Sequence, residues 1–259
     1  MRTNVESPVM DRWLFYDVTH ALHTYCNPIT ARKTAEIGRV LRLKPQHRVL
    51  DIACGHGEML VSWASEHGIS GVGVDASPYA IERAKRRATG RNQDDSIVFV
   101  LALGEEYRPP RTGLFDVAAC IGASWIWGSY ERMLEALIGY TQPGGLLVIG
   151  QPHWISDPPE EYLIAQGLQR EAFHTLWEHV DIARGMGMTL IYMAESSRDE
   201  WDRYEMLQAA SVDRFEQDHT NHPDLAEIRT RCDQSREAYL RWGRDCCGFA
   251  LYVFRTPAE

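Results

Sequence analysis

The chain has 259 residues, 44% of them hydrophobic and 24% charged, with 27 lysines and arginines against 36 acidic residues. That apolar fraction excludes a disordered or fibrous chain, and the length suffices for one large α/β domain or two small ones. The net charge of −9 argues against a broadly basic nucleic-acid surface. No apolar run reaches the roughly 20 residues of a membrane helix. Residues Met1 to Asp11 lack a hydrophobic signal core, so a cytoplasmic protein is expected. The six cysteines (Cys26, Cys54, Cys120, Cys232, Cys246 and Cys247) show no CxxC spacing, and reduced thiols are expected.

In chain order, residues 1–44 read as a mostly helical cap segment, and 45–259 as the core of a single domain. Arg48 to Ile52 is a short apolar run that predicts a strand. Gly57 to Glu66 follows with Met59, Leu60 and Trp63 at helical spacing. Gly71 to Asp75 predicts a second strand. Ser77-Pro78 then supplies an N-cap with proline at the first helical position. Strands are predicted at Ile97 to Leu103 and Phe115 to Ile121, a helix at Ser129 to Tyr140, and a fifth strand at Leu146 to Gly150. Nearly all-apolar strands alternating with helices indicate a parallel sheet covered on both faces. Beyond it, Glu171 to Gly185 reads as a helix and Met188 to Ala194 and Gly248 to Phe254 as strands. Helical insertions are placed at about 155–185 and 199–245.

The first strand runs into Asp51-Ile52-Ala53-Cys54-Gly55-His56-Gly57. A Gly-x-Gly between strand and helix lets a ligand approach the backbone closely. Twenty residues beyond Gly55 stands Asp75, placed to accept hydrogen bonds from a ribose 2′,3′-diol. Together they specify a nucleoside at the carboxyl edge of the sheet. A dinucleotide site calls for a third glycine where this chain has Leu60, and Asp51 would repel a pyrophosphate. S-adenosylmethionine carries no phosphate but an ammonium and a sulfonium, so Asp51 suits its cation. No P-loop is present.

VLDIACGHGEML, GVGVDASPYAIERAKRRA, FDVAACIGASW and TQPGGLLVIG, in this order between Arg48 and Gln151, resemble four motifs of the class I S-adenosylmethionine-dependent methyltransferases. The outer segments resemble a bacterial type-11-like branch. The resemblance implies a Rossmann-like α/β fold. Its seven-stranded sheet has the order 3-2-1-4-5-7-6, with the last strand antiparallel, helices on both faces and an added helical cover. It implies S-adenosylmethionine as cofactor and S-adenosylhomocysteine as product. The contacts it implies fall on Asp51, Ala53, Cys54, Gly55 and Gly57, on Asp75 and Ala76, and on Cys120, Ile121, Gly122 and Trp125. Ala53 stands where the family usually has glycine, tolerable with a negative φ. The family's acidic residue after the third strand is replaced by Leu103-Gly104, so adenine would be held by backbone N–H and apolar contact.

His153, His20 and Tyr16 are the candidates for an acceptor pocket or a general base, with His23, Asn27 and Trp125 beside them. His20, His23 and Cys26 lack a fourth ligand, so no metal site is expected. The expected partner is a small-molecule acceptor, with no nucleic acid or membrane and a monomer or homodimer as the assembly. The alternatives are methylation of RNA or protein, a non-catalytic S-adenosylmethionine-binding module, and a nicotinamide dehydrogenase.

Overall fold

The computed structural model describes residues 11–110 and 114–258; the first ten residues of the expected 1–44 cap lie outside them. Helix α1 (Arg12–Thr19) starts where the Asp11 carboxylate accepts the Trp13 N–H, and α2 (Ala31–Val40) where Thr30 accepts from Lys33. Strand β1 (Arg48–Ile52), α3 (Glu58–His67), β2 (Ser70–Asp75), α4 (Pro78–Gly90), β3 (Ile97–Leu101) and β4 (Phe115–Ile121) follow. Ser77 caps α4 through the Ala80 N–H, with Pro78 in the first turn, as the sequence predicts. Next come α5 (Tyr130–Tyr140), β5 (Thr141–Trp154), α6 (Glu160–Gln166), α7 (Leu176–Gly185), β6 (Thr189–Glu195), α8 (Arg198–Asp218), α9 (Leu225–Ala238) and β7 (Cys247–Arg255).

The strands form one sheet in the order β3-β2-β1-β4-β5-β7-β6, with β7 antiparallel to both neighbours. This is the topology the resemblance implies. Alternate residues of β1 feed the two faces. Val49 joins Leu60, Trp63 and Ile81 of α3 and α4 on one face; Leu50 and Ile52 join Met133, Leu134 and Leu137 of α5 on the other. Burial on both faces is why the parallel strands read as continuous apolar runs.

Several boundaries differ from the sequence reading. β5 extends to Trp154 because β7 supplies backbone partners from Leu146↔Arg255 to Trp154↔Cys247. β3 stops at Leu101, leaving Leu103 and Gly104 in the loop beyond. α7 starts at Leu176, fixed by a capping box in which Thr175 and Glu178 satisfy each other's backbone N–H. The short α6, after Pro158-Pro159, falls within the helical insertion expected at about 155–185.

The segments outside the βα alternation pack on one another. Phe15 and Val18 of α1 are buried against Val212 of α8 and Ile228 and Cys232 of α9. Lys33 pairs with Glu200, Asp17 with Arg83 at 2.5 Å, and Tyr192 donates to Glu36 at 2.9 Å. The cover is thereby fastened to α4 and to the sheet edge. Among the described residues no helix is long and apolar enough to cross a membrane.

Candidate active site

At the carboxyl end of β1 the chain turns sharply. Gly55 has φ +53°, and its N–H donates to Asp75 Oδ2 at 2.9 Å; the Ser77 N–H donates to Oδ1 at 2.8 Å. Asp75 thus ties together the loops after β1 and β2, and each carboxylate oxygen keeps a lone pair for a further donor. Burial raises its pKa and these backbone bonds pull it back down. Ala53 departs from expectation: its φ is +59°, in the left-handed region that an alanine enters at about 1–2 kcal/mol.

These loops form one wall of a cavity of about 440 Å³, within the roughly 300–1,000 Å³ typical of ligand clefts. Ala53, Gly55, Asp75 and Ala76 line it from β1 and β2, and Leu103, Gly104, Ile121, Gly122 and Trp125 from β3 and β4. Gly122 has φ +78°, and a Cβ there would lie 2.2 Å from Asn27 Oδ1, so only glycine permits Asn27 to sit against the loop. Trp125, a contact the resemblance implies, is 67% exposed and lines the cavity. The opposite wall is built by the cover: Arg12, Trp13, Tyr16, Asp17 and His20 from the α1 segment, and Tyr204 from α8.

A recess of about 40 Å³ adjoins this space, sharing Cys26, Asn27, Ala53 and Gly55 with it. Asp51 and Cys54 line the recess rather than the main cavity. Asp51 is only 4% exposed, and no cation pairs with it among the described residues. Burial, reinforced by Asp75, pushes its pKa well above the ordinary carboxylate value. A buried carboxyl short of a positive partner is the feature an ammonium group would complement.

Several expected site residues are elsewhere. Gly57 does not line either space; its φ of +70° and the 2.6 Å that would separate a Cβ from the Phe99 ring make it a packing glycine between α3, α4 and β3. Cys120 is fully buried in the α5-facing core, its thiol pKa raised by desolvation, and it lines neither of these two spaces. His153 is the largest correction. It is 1% exposed on β5, its Nε2 lies 3.2 Å from Glu195 Oε1, and it lines neither space, so it is not placed to act as a base there. β5 continues as a strand through this position, where His153 is paired with Gly248 of β7 instead of lying beyond the sheet. His23 hydrogen-bonds the Tyr204 carbonyl at 2.9 Å and lines a surface groove with Arg83 and Arg87.

His20 and Tyr16 do line the cavity. Burial, then the neighbouring His23, holds the His20 pKa down to about 3, so its ring is neutral. Tyr204 was missed as a site residue. The apolar stripe of its helix placed it inward, but nothing local to α8 shows which cavity it meets. Among the described residues no cluster of three His, Cys, Asp or Glu side chains could hold a metal.

The sheet order, the Asp75-anchored loop and a phosphate-hostile carboxylate define a nucleoside-binding enzyme of the Rossmann-like class. Residues 49–145 match the methyltransferase domain family. The chain is 34% identical over 246 residues to the uncharacterised protein YjhP of Escherichia coli, spanning 94% of this chain and 98% of that protein. The structure of a Thiobacillus denitrificans S-adenosylmethionine-dependent methyltransferase in complex with S-adenosylhomocysteine is 32% identical. It aligns with a TM-score of 0.86 over 95% of this chain and 98% of its own. A more distant relative, the 27-O-demethylrifamycin SV methyltransferase of Amycolatopsis mediterranei, is 30% identical over 121 residues, 47% of this chain and 44% of the enzyme. The chain belongs to the class I S-adenosylmethionine-dependent methyltransferases.

Proposed function

We propose that this methyltransferase acts on a small-molecule acceptor enclosed between the sheet edge and its own helical cover. The cofactor supplies an electrophilic methyl group on a sulfonium whose leaving group is a neutral thioether. The residues fit that cofactor. Asp75 would take the ribose hydroxyls, Gly55 and Gly122 offer close backbone approach, and Asp51 would face the ammonium and be drawn back to its ionised form. Leu103 and Gly104 would flank adenine without a carboxylate. With no acid needed for the leaving group, the chain's task is to align the acceptor and exclude water.

One observation carries the small-molecule reading: the wall opposite the cofactor loops is made by α1 and α8, locked to each other by a buried apolar cluster. A macromolecular substrate would need that wall open and a basic track leading to it. The relative that acts on a rifamycin agrees with this reading.

The test is methyl-labelled S-adenosylmethionine incubated with the protein and, separately, bacterial metabolite extract, total RNA and total protein. Label should enter the low-molecular-weight fraction. Label confined to RNA or protein would overturn the reading.

A further inference from the structure

The His20–Tyr204 pair lies on the cavity wall that the cofactor loops do not make, and its hydrogens are assigned by its surroundings. His20 Nδ1 is 3.1 Å from the Tyr16 carbonyl oxygen, which can only accept. It is also 3.0 Å from Thr19 Oγ1, whose own hydrogen goes to the Phe15 carbonyl at 2.8 Å. The single proton of the neutral ring is therefore on Nδ1. Nε2 is bare and accepts from the Tyr204 hydroxyl at 2.9 Å. With its hydrogen committed, the Tyr204 oxygen has lone pairs and no other hydrogen-bond partner among the described residues. The ring packs against two neighbouring histidines, its centroid 5.6 Å from that of His20 and 5.1 Å from that of His23. Trp13, Tyr16 and Trp125 line the same cavity and give it flat apolar surfaces.

We propose that Tyr204 recognises the methyl acceptor by accepting a hydrogen bond from a hydroxyl carried on a flat ring system, and that His20 is the positioning residue that fixes this polarity. The proposal rests on the small-molecule reading and names its substrate class. A tyrosine hydroxyl ordinarily turns to donate or accept as the ligand requires; here the histidine tautomer removes that choice. The cavity accordingly selects hydroxyl-bearing rings and rejects rings that can only accept, because the latter would leave the Tyr204 oxygen unsolvated and unpaired.

The test uses protein saturated with S-adenosylhomocysteine and two probes of nearly equal shape, 2-naphthol and 2-fluoronaphthalene, measured by calorimetry. Wild-type protein should prefer the naphthol by about tenfold, the value of one hydrogen bond. Tyr204→Phe should level the preference. His20→Leu frees the tyrosine hydrogen to face the cavity and should reverse it, an outcome that simple loosening of the helix, which would only level it, does not produce. Nitrogen-15 NMR of histidine-labelled protein should show the His20 proton on Nδ1, and Tyr204→Phe should shift its Nε2 resonance. Equal binding of the two probes to wild type, binding of neither, a preference that survives Tyr204→Phe, or a proton on Nε2 would each overturn the proposal. If a variant loses the cofactor product through misfolding, the wild-type preference and tautomer decide it. Label entering only RNA or protein in the incubation above instead removes the small-molecule reading, whatever the probes do.

Discussion

On its sheet side the cavity is bounded by turns whose shape is set by positive φ at Ala53, Gly55 and Gly122. On the other side it is bounded by long side chains projected from α1 and α8. The first wall is made of backbone and needs few particular side chains beyond Asp75. The second exists only while helices far apart in sequence stay packed: His20 and Tyr204, in hydrogen-bond contact, are separated by 184 positions. The difference predicts that cofactor binding and acceptor recognition can be damaged separately.

The largest effect should come from Ile228→Ala, which empties a fully buried position in the cluster joining α9 to α1 and α8. A loss of about 3 kcal/mol in chemical denaturation is expected. Affinity for S-adenosylhomocysteine should fall far less than the acceptor-probe selectivity; equal losses would mean that the two walls are one unit. Asp75→Ala strikes the other wall, leaving the Gly55 and Ser77 N–H groups without their acceptor. Calorimetry should register about a hundredfold weaker binding of the cofactor product.

Asp51→Asn keeps the shape and removes the charge, and about a tenfold loss of affinity should follow. It also carries a pH signature. Because the folded pKa of Asp51 is raised, its protonated form is the one the ligand-free fold tolerates. The stability it permits is fully present below the ordinary carboxylate value of about 4 and is lost as pH rises through the folded value. Thermal melts of the ligand-free protein should therefore fall less steeply with rising pH in Asp51→Asn than in wild type. Identical slopes would show that Asp51 is not the group responsible. The smallest effect is Ala53→Gly. It relieves the left-handed alanine but adds freedom to the unfolded chain, for a net gain of about 0.5 kcal/mol and a melting temperature raised by a degree or two.

The same division governs what could be read before any coordinates. Gly55 and Asp75 were legible because a strand, a glycine turn and a helix within some thirty residues fix one another locally, whereas the strand order was implied by the family resemblance. The sign of φ at Ala53 was not, since the turn imposes it against the residue's preference. Gly57 carries the motif spacing but spends its missing side chain on Phe99. His153 misled because the end of β5 was placed by a change in composition, whereas it is set by backbone pairing with a strand some hundred residues later. Tyr204 had the inward periodicity of its helix, but its meeting with His20 is a product of tertiary packing.

The position of β7 has a consequence for how the chain acquires its form during synthesis. β6 emerges from the ribosome earlier, yet its sheet neighbour is β7, which slots between β5 and β6. Until then the long edge of β5, from Leu146 to Trp154, has no partner on that side. The nascent molecule thus carries an open, largely apolar border until β7 has been made, a period when intermolecular strand pairing competes with closure.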